Sequence, residues 1–313
     1  MAISSEAQAF ILVIAAGLCT AIGASVVFFP ALANLAKPNV LAIALAFSSG
    51  IMLYISLVDI WGKSVDGYAS NGIEDGDAVI YGTLSFFGGC ALMLVLDFIV
   101  DKLLSMDESS DVVVHGPQDG AEIEKMREDF EKKVAEDLGE SEDKAGDVED
   151  KTTDSIVVKD TKELKHMSWA MAAAIAIHNF PEGMVTYLGY TQDPSVGIAL
   201  AVGIAIHNIP EGLCVAMPLY YATGRRWYAF MWGTLSGLTE PFGALLVWVI
   251  LSNGMSGTVD GVLFGLVAGM MTVITIDELL PTAHKYTSEP KQVTYFCIFG
   301  MFFIASSLML FNV

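Results

Sequence analysis

Two copies of an almost identical eleven-residue segment place histidine, asparagine and glutamate inside apolar stretches. The first copy, AIAIHNFPEGM, covers Ala174–Met184, and the second, GIAIHNIPEGL, covers Gly203–Leu213. In each copy the histidine and the glutamate are four residues apart, so a helix would project both side chains from one face about one turn apart. Imidazole and carboxylate groups together are suitable ligands for zinc and for other first-row divalent ions.

Each segment also carries residues that would shape the helix around these ligands. The four charged candidates are His178, Glu182, His207 and Glu211. Asn179 and Asn208 fall beside the same helix faces. Pro181 and Pro210 remove a backbone donor and clash with the carbonyl group four residues earlier, which is tolerable in a membrane where that carbonyl lines a polar cavity. The glycine after each glutamate permits close approach of another helix. Buried His–Glu pairs that brace two helices are the alternative, but ionisable groups at mid-membrane are costly and usually functional.

The elements that must position these residues are membrane-spanning helices. Hydrophobic residues make up 54% of the chain, and the mean hydropathy is +0.55. The apolar residues form runs of about 20, the length that crosses a hydrocarbon core as a helix. We predict an all-α polytopic membrane protein with eight spans: 9–30, 40–61, 78–104, 167–190, 196–220, 227–251, 258–283 and 293–312.

The net charge of −20 is concentrated in one loop. Asp101–Lys165 contains 21 acidic and 10 basic residues, and its central part has almost no apolar residues. We therefore predict three regions: helices 1–3 over residues 1–104, an acidic, disordered cytosolic loop over 105–166, and helices 4–8 with the metal centre over 167–313. A short amphipathic helix around residues 121–138 is plausible within the loop.

The distribution of basic residues predicts the orientation. With the N-terminus outside, every lysine and arginine except Lys63 falls on the cytosolic side. Both termini are then extracytosolic. The sequence does not distinguish the plasma membrane from an endomembrane.

The paired segments strongly resemble the signature of the ZIP (Zrt/Irt-like) divalent-metal transporters, in the branch with HNxPEG in both central helices. The resemblance extends to SGLTEPFGA in the sixth span and DELLPTA in the seventh, and it covers essentially the whole chain. It implies a binuclear metal centre. One position would be formed by His178, Glu182, His207 and Glu211. The other would be formed by Asn179, Asn208, Glu211 and Glu240, with Glu211 bridging. Many family members have a carboxylate where this chain has Asn208, which makes the second position less anionic.

The resemblance also implies an inverted repeat of helices 1–3 and 6–8 around the central helix pair 4–5. GLCTAIGA at Gly17–Ala24 aligns with GLTEPFGA at Gly237–Ala244, at an offset of 220. GIMLYISLVDI at Gly50–Ile60 aligns with GMMTVITIDEL at Gly269–Leu279, at an offset of 219. Segments five spans apart run in opposite directions, as in transporters that bind substrate near the midplane.

Glu240 precedes a proline inside an apolar span, which favours a ligand role.

Four further ionisable residues are candidates for an ion pathway. The pathway candidates lie nearer the ends of their spans, where a solvated interfacial role is nearly as plausible: Asp59, Asp277, Glu278 and His284.

These observations favour a secondary transporter of Zn²⁺, with Fe²⁺, Mn²⁺ and Cd²⁺ as further candidate substrates. The resemblance to the ZIP family, and not the ligand chemistry, implies transport toward the cytosol. The metal is substrate and not a cofactor, and we do not expect an enzyme. The chain has no GxxxxGK[ST] loop, which argues against an ATP-driven pump. The alternatives are an intramembrane zinc-dependent hydrolase and a gated divalent-cation channel. The expected partners are divalent ions and the lipid bilayer, with no nucleic acid, and a homodimer is left open.

Overall fold

The computed structural model describes residues 4–29, 37–106, 128, 161–252, 257–287 and 289–311, and the elements assigned over these residues are helical. The helices are α1 Ser5–Ala24, α2 Pro38–Tyr54, α3 Trp61–Ser70, α4 Asp75–Met106, α5 Thr161–Gln192, α6 Pro194–Thr223, α7 Arg226–Gly237, α8 Glu240–Leu251, α9 Gly257–Ile274, α10 Leu280–Lys285 and α11 Pro290–Phe311. A short 3₁₀ turn, Ser25–Phe28, continues α1.

Within the described residues, seven continuous helical stretches are long and apolar enough to cross a membrane: Ser5–Phe28, Pro38–Ser70, Asp75–Val100, Pro194–Tyr221, Arg226–Leu251, Gly257–Lys285 and Pro290–Leu310. They confirm an all-helical, multi-pass membrane protein. The span predicted at 167–190 falls within α5, which is not one of the seven. The loop predicted at 105–166 falls mostly outside the described residues, as does almost all of its amphipathic helix.

Three of the spans are not regular α-helices. The span predicted at 227–251 consists of α7 and α8, separated by Leu238 and Thr239. Pro241 lies in the first turn of α8, where its missing N–H leaves no intrahelical bond unmade. Wider π-helical turns join α2 to α3 at Ile55–Ile60 and α9 to α10 at Thr275–Leu279. Such turns are rare and occur frequently at functional sites. The apolar pattern predicted each span but not these interruptions.

The helices pack in two groups. The first bundle contains α1, α5, α6, α7 and α8, with α1 packed along α6 and α5 packed along α8. The second bundle contains α2, α3, α4, α9, α10 and α11, with α9 packed against α3 and α4, and α2 packed along α11. The two bundles meet mainly where α5 and α6 face α9, α2 and α11. The repeated histidine-containing segments therefore lie on the helices at this boundary.

Within each bundle, the tightest helix crossings are made by pairs of glycines. A Cβ atom added to Gly89 of α4 would overlap the backbone of Leu266, and one added to Gly269 of α9 would overlap the backbone of Phe86. Because the overlapping atoms are backbone atoms, they cannot move aside as a flexible side chain could. The same reciprocal arrangement occurs between Gly23 and Gly212, Gly50 and Gly300, Gly17 and Gly237, and Gly183 and Gly243.

Replacing a crossing glycine should weaken the bundle, whereas replacing an open one should not. We expect Gly269→Ala to lower the midpoint of thermal unfolding of the detergent-purified protein, because overpacking typically costs about 1–3 kcal/mol. Gly62→Ala is the matched control, since an added Cβ there meets no atom within 4 Å. It should leave the midpoint unchanged or raise it. Equal midpoints for the two variants would contradict this account of the crossing.

Candidate metal centre

Both repeated segments lie in continuous helices at the centre of the molecule. α5 carries Pro181 and α6 carries Pro210 without interruption of the helical assignment. A sharp turn at Asp193, whose side chain accepts a hydrogen bond of 2.8 Å from the Ser195 N–H, joins the two helices. Antiparallel packing then brings the two segments side by side. The polar side chains of these segments that are buried are His178, Asn179, Glu182, His207 and Asn208, while Glu211 is partly buried.

Three of the predicted ligands form a group that could hold a metal ion. Ligand atoms of Glu182, His207 and Glu211 all lie within 4.8 Å of one another. His207 Nε2 and Glu182 Oε1 are 2.8 Å apart, so the pair spans the interface between α5 and α6. One imidazole nitrogen and two carboxylates fit the donor preferences of zinc. The helical spacing predicted each pair on its own helix, and antiparallel packing brings the pairs together.

Glu240 lies beside this group, on α8 of the first bundle. It is fully buried at the start of α8, and Gly183 lies directly against its backbone. This contact confirms the prediction that the glycine after Glu182 permits close approach of another helix. Glu240 is near enough to Glu182 and Glu211 to interact with them electrostatically. The break between α7 and α8 therefore places a third buried carboxylate beside the repeated segments.

Asn208 is a hydrogen-bond donor to this third carboxylate. Its Nδ2 donates to Glu240 Oε1 at 2.6 Å and to the carbonyl oxygen of Ala16 in α1 at 3.0 Å. Both partners are acceptors, so the amide nitrogen must face them and Oδ1 must point elsewhere. Asn179, also fully buried, lies beside Glu211.

His178 contacts a residue of the second bundle. Its Nε2 lies 3.0 Å from Oε2 of Glu278, on the π-helical turn between α9 and α10. Glu278 is one of the four residues predicted along an ion pathway. The side chain of Glu278 is 34% exposed, compared with 9% for that of His178, so this pair connects the buried group to a more accessible region.

The negative charge of the three glutamates at the centre is not balanced by lysine or arginine side chains of the described residues. Among the described residues, no lysine or arginine forms an ion pair with Glu182, Glu211 or Glu240. Several of their oxygens are buried and receive no hydrogen bond from the part of the chain that is described: Glu182 Oε2, Glu211 Oε2, Glu240 Oε2 and also Asn208 Oδ1. Buried charges are normally paired or coordinate metals. The group therefore has both the geometry and the electrostatics of a cation site.

The other pathway candidates lie away from this group. Asp277 and His284 are exposed, on the π-helical turn and in α10 respectively. Asp59 lies on the other π-helical turn, in a surface pocket of about 490 Å³ that also contains Lys63 and Asp66. Ile55 and Ile304 are next in sequence to the pocket residues Tyr54 and Ala305; both are fully buried, and their side chains lie against Gly203 of α6, one turn before His207.

Two contacts at the centre could not have been predicted from side-chain motifs. The Ala16 carbonyl is a backbone group, and the only signal near it in the sequence is the glycine at position 17, which allows α1 to approach α7. The position of Glu278 against His178 depends on a π-helical turn, which shifts every following side chain around the helix axis.

Comparison with known proteins identifies a family that the chain resembles over nearly its whole length. A family model described as "ZIP Zinc transporter" matches residues 7–309. Three similar proteins, each named "Zinc transporter ZupT", align over nearly their whole length. The protein of Clostridium perfringens is 36% identical over 97% of this chain and 96% of its own length. That of Stenotrophomonas maltophilia is 37% identical over 96% and 94%, and that of Nitratidesulfovibrio vulgaris is 38% identical over 97% and 96%.

The match leaves only six residues unaligned at the N-terminus and four at the C-terminus, so it includes every helix that contributes to the buried group. The chain belongs to the ZIP zinc transporter family.

Proposed function

We propose that this protein is a secondary transporter that carries Zn²⁺ across the membrane toward the cytosol through the buried centre. The observation that carries the proposal is the group of Glu182, His207 and Glu211, whose ligand atoms lie within 4.8 Å of one another inside a bundle of membrane-spanning helices. Zinc is the transported substrate. Membership of a transporter family agrees with the prediction that the chain is not an enzyme, and it does not favour the hydrolase alternative.

The centre has two metal positions. The first uses His178, Glu182, His207 and Glu211. The second uses Asn179, Asn208, Glu211 and Glu240. The buried oxygens without donors support the second position, because Asn208 Oδ1, Glu211 Oε2 and Glu240 Oε2 all belong to its ligand set. The Asn208 amide that donates to Glu240 leaves only the neutral Oδ1 for metal, so this position is less anionic than one with aspartate.

The two positions differ in chemical character. The first contains two imidazoles, which suit zinc, iron and cadmium, whereas the second contains only oxygen ligands, which suit harder ions such as Mn²⁺. Fe²⁺, Mn²⁺ and Cd²⁺ are therefore further candidate substrates, with zinc preferred at the first position. Since protons compete with metal for imidazole and carboxylate, metal binding should weaken in acid.

Ions leave the centre past His178 and Glu278. The partial exposure of Glu278 and the exposure of Asp277 and His284 beyond it support a route to the cytosolic side. Ions arrive from the other side, where Asp59 lies in its surface pocket. The buried Ile55 and Ile304, which are next in sequence to pocket residues and lie against α6, support a conformation closed to the outside. Transport therefore requires a second conformation in which this apolar barrier opens.

The protein has eight spans, with α5 as the fourth, and both termini outside the cytosol. Helices 1–3 and 6–8 form an inverted repeat, which the glycine crossings support. Gly23 of α1 pairs with α6, while Gly243, 220 residues later, pairs with α5. Gly50 pairs with α11, while Gly269, 219 residues later, pairs with α4. Matching crossings at nearly equal offsets are what two copies of one helix unit would produce.

The outer surface of the bundles contacts lipid. Large apolar side chains there are strongly exposed, including Phe98, Phe302 and Leu310 at 66%, 67% and 80%. In an aqueous protein such a surface would be unfavourable, and in a bilayer it is required. A homodimer through part of this surface stays a prediction, as does the choice of cellular membrane. A gated channel would differ from the proposed transporter by showing flux that does not saturate with zinc concentration.

Removing one ligand should abolish transport without unfolding the protein. We expect His207→Ala to reduce zinc uptake into proteoliposomes by more than about 100-fold, because loss of a residue that merely supports a ligand already costs 10- to 100-fold. Uptake is measured with radioactive zinc, and His115→Ala in the long acidic loop is the control. If His207→Ala protein is monodisperse and takes up zinc at the normal rate, the centre is wrongly assigned.

Placing a carboxylate at position 208 should raise the zinc affinity of the second metal position and lower the stability of the protein without metal. Asn208→Asp removes the amide donor to Glu240 and Ala16 and adds a negative charge beside Glu240. We expect a lower unfolding midpoint without metal, a larger rise of that midpoint on adding zinc, and more zinc bound per chain in equilibrium dialysis. Asn71→Asp, at an exposed side chain bonded to Thr258, is the control. Midpoints identical to those of the unsubstituted protein, with and without zinc, would exclude Asn208 from the second position.

A further inference from the structure

His178 is the one histidine of the repeated segments whose ring nitrogens are not among the clustered ligand atoms. The group of ligand atoms within 4.8 Å contains Glu182, His207 and Glu211, but it does not include His178. His178 Nε2 instead lies 3.0 Å from Glu278 Oε2. Its counterpart in the second segment, His207, turns toward Glu182 of the same bundle. Two residues with the same place in a repeated sequence therefore have different partners.

The contact also crosses from one bundle to the other. His178 belongs to α5 of the first bundle, and Glu278 belongs to the π-helical turn of the second bundle. The tightest crossings, between glycines, lie within each bundle, so the two bundles are joined by side chains. The His178–Glu278 pair is one of those links. The side chain of His178 is 9% exposed, which gives its hydrogen bond more strength than a fully solvated one would have.

A nitrogen that is hydrogen-bonded to a carboxylate cannot bind a metal at the same time. To donate to Glu278, Nε2 must carry its hydrogen, whereas a metal ligand must offer its lone pair. The other ring nitrogen, Nδ1, could still bind a metal while Nε2 donates, but neither ring nitrogen of His178 belongs to the group of ligand atoms that lie within 4.8 Å of one another. An ion held by that group would therefore need His178 to turn toward Glu182 and Glu211 before it could bind as a fourth ligand. His178 and Glu182 are four residues apart on α5, so a change of the His178 side-chain rotamer can bring the two side chains together without movement of the helix.

We propose that Glu278 is a positioning residue that holds His178 outside the group of clustered ligand atoms, and that zinc and Glu278 compete for this histidine. Zinc binding then breaks one link between the two bundles, and reformation of the link helps zinc to leave. This inference rests on the proposed transport function, since it concerns the occupancy of the same centre. Glu278 then lies on the ion pathway and also lowers the affinity of the centre for zinc.

The competition predicts an unusual result, namely that loss of an acidic residue strengthens cation binding. Zinc affinity of the full chain is measured in detergent by competition with a fluorescent chelator. We expect Glu278→Ala to tighten zinc binding by about threefold to tenfold, the range for one ordinary intramolecular hydrogen bond, because the carboxylate of Glu278 is partly exposed to solvent. Glu278→Gln should give a smaller change, because the amide oxygen can still accept from His178. Glu289→Ala is the matched control, since it removes the same charge from an exposed glutamate outside the centre and the ion pathway and should not tighten binding.

A double-mutant cycle with His178→Ala separates competition from a general structural effect. In the His178→Ala background, Glu278→Ala should no longer change zinc affinity, because the competitor has lost its target. In proteoliposomes, Glu278→Ala should lower KM for zinc and also lower the maximal rate, since release is slower. Unchanged or weaker zinc binding by both Glu278 variants would overturn the proposal, as would an equal effect of Glu278→Ala with and without His178.

The same preparations distinguish this inference from the transport function on which it rests. If the unsubstituted protein does not take up zinc, the proposed function fails, and the inference fails with it. If the unsubstituted protein takes up zinc but Glu278→Ala binds it no more tightly, only the competition is wrong.

Discussion

The burial of three carboxylates in an apolar helical bundle is the constraint on which the rest of this structure depends. Glu182, Glu211 and Glu240 lie together at the centre of the first bundle, and no lysine or arginine of the described chain is paired with them. Placing such charges in a medium of low dielectric is unfavourable unless a cation or a donor accompanies them. The imidazole of His207, the amide of Asn208 and a transported metal ion are the groups that can meet this requirement.

Two of the departures from regular helix geometry are explained by the same constraint. The interruption at Leu238 and Thr239 places Glu240 at a helix start, where the backbone N–H groups favour a negative charge. The crossing of Gly183 against the backbone of Glu240 brings α5 and α8 together and places the Glu240 carboxylate near Glu182. The π-helical turn at Thr275–Leu279 directs Glu278 toward His178 from the other bundle. These irregularities lie beside the centre, whereas the π-helical turn at Ile55–Ile60 lies at the Asp59 pocket and contributes no residue to the ligand group found among the described residues. The regular helix stretches supply the apolar surface that faces lipid.

The division into two bundles gives the centre an asymmetric setting. One side of it is the tightly crossed first bundle, which holds His207, Asn208 and Glu240 by short hydrogen bonds within itself. The other side is the second bundle. Among the predicted ligands and pathway residues, the pair of His178 and Glu278 is the contact by which this bundle meets the centre. A site shared in this way can respond to its ligand, because binding changes contacts between bundles without unpacking either of them.

The sequence by itself determined the membrane-spanning helices, the candidate ligands and the ZIP family, because run length, four-residue spacing and a repeated motif are local properties of the chain. It placed His178, Glu182, His207 and Glu211 on helix faces, and it singled out Glu240 from the proline beside it. Only the tertiary structure decided that His207 pairs with Glu182 while His178 pairs with Glu278, and that Asn208 donates to Glu240 and Ala16. Those contacts depend on helix rotation, on π-helical turns and on a backbone carbonyl from a helix about 190 residues away, for which a local pattern carries no signal.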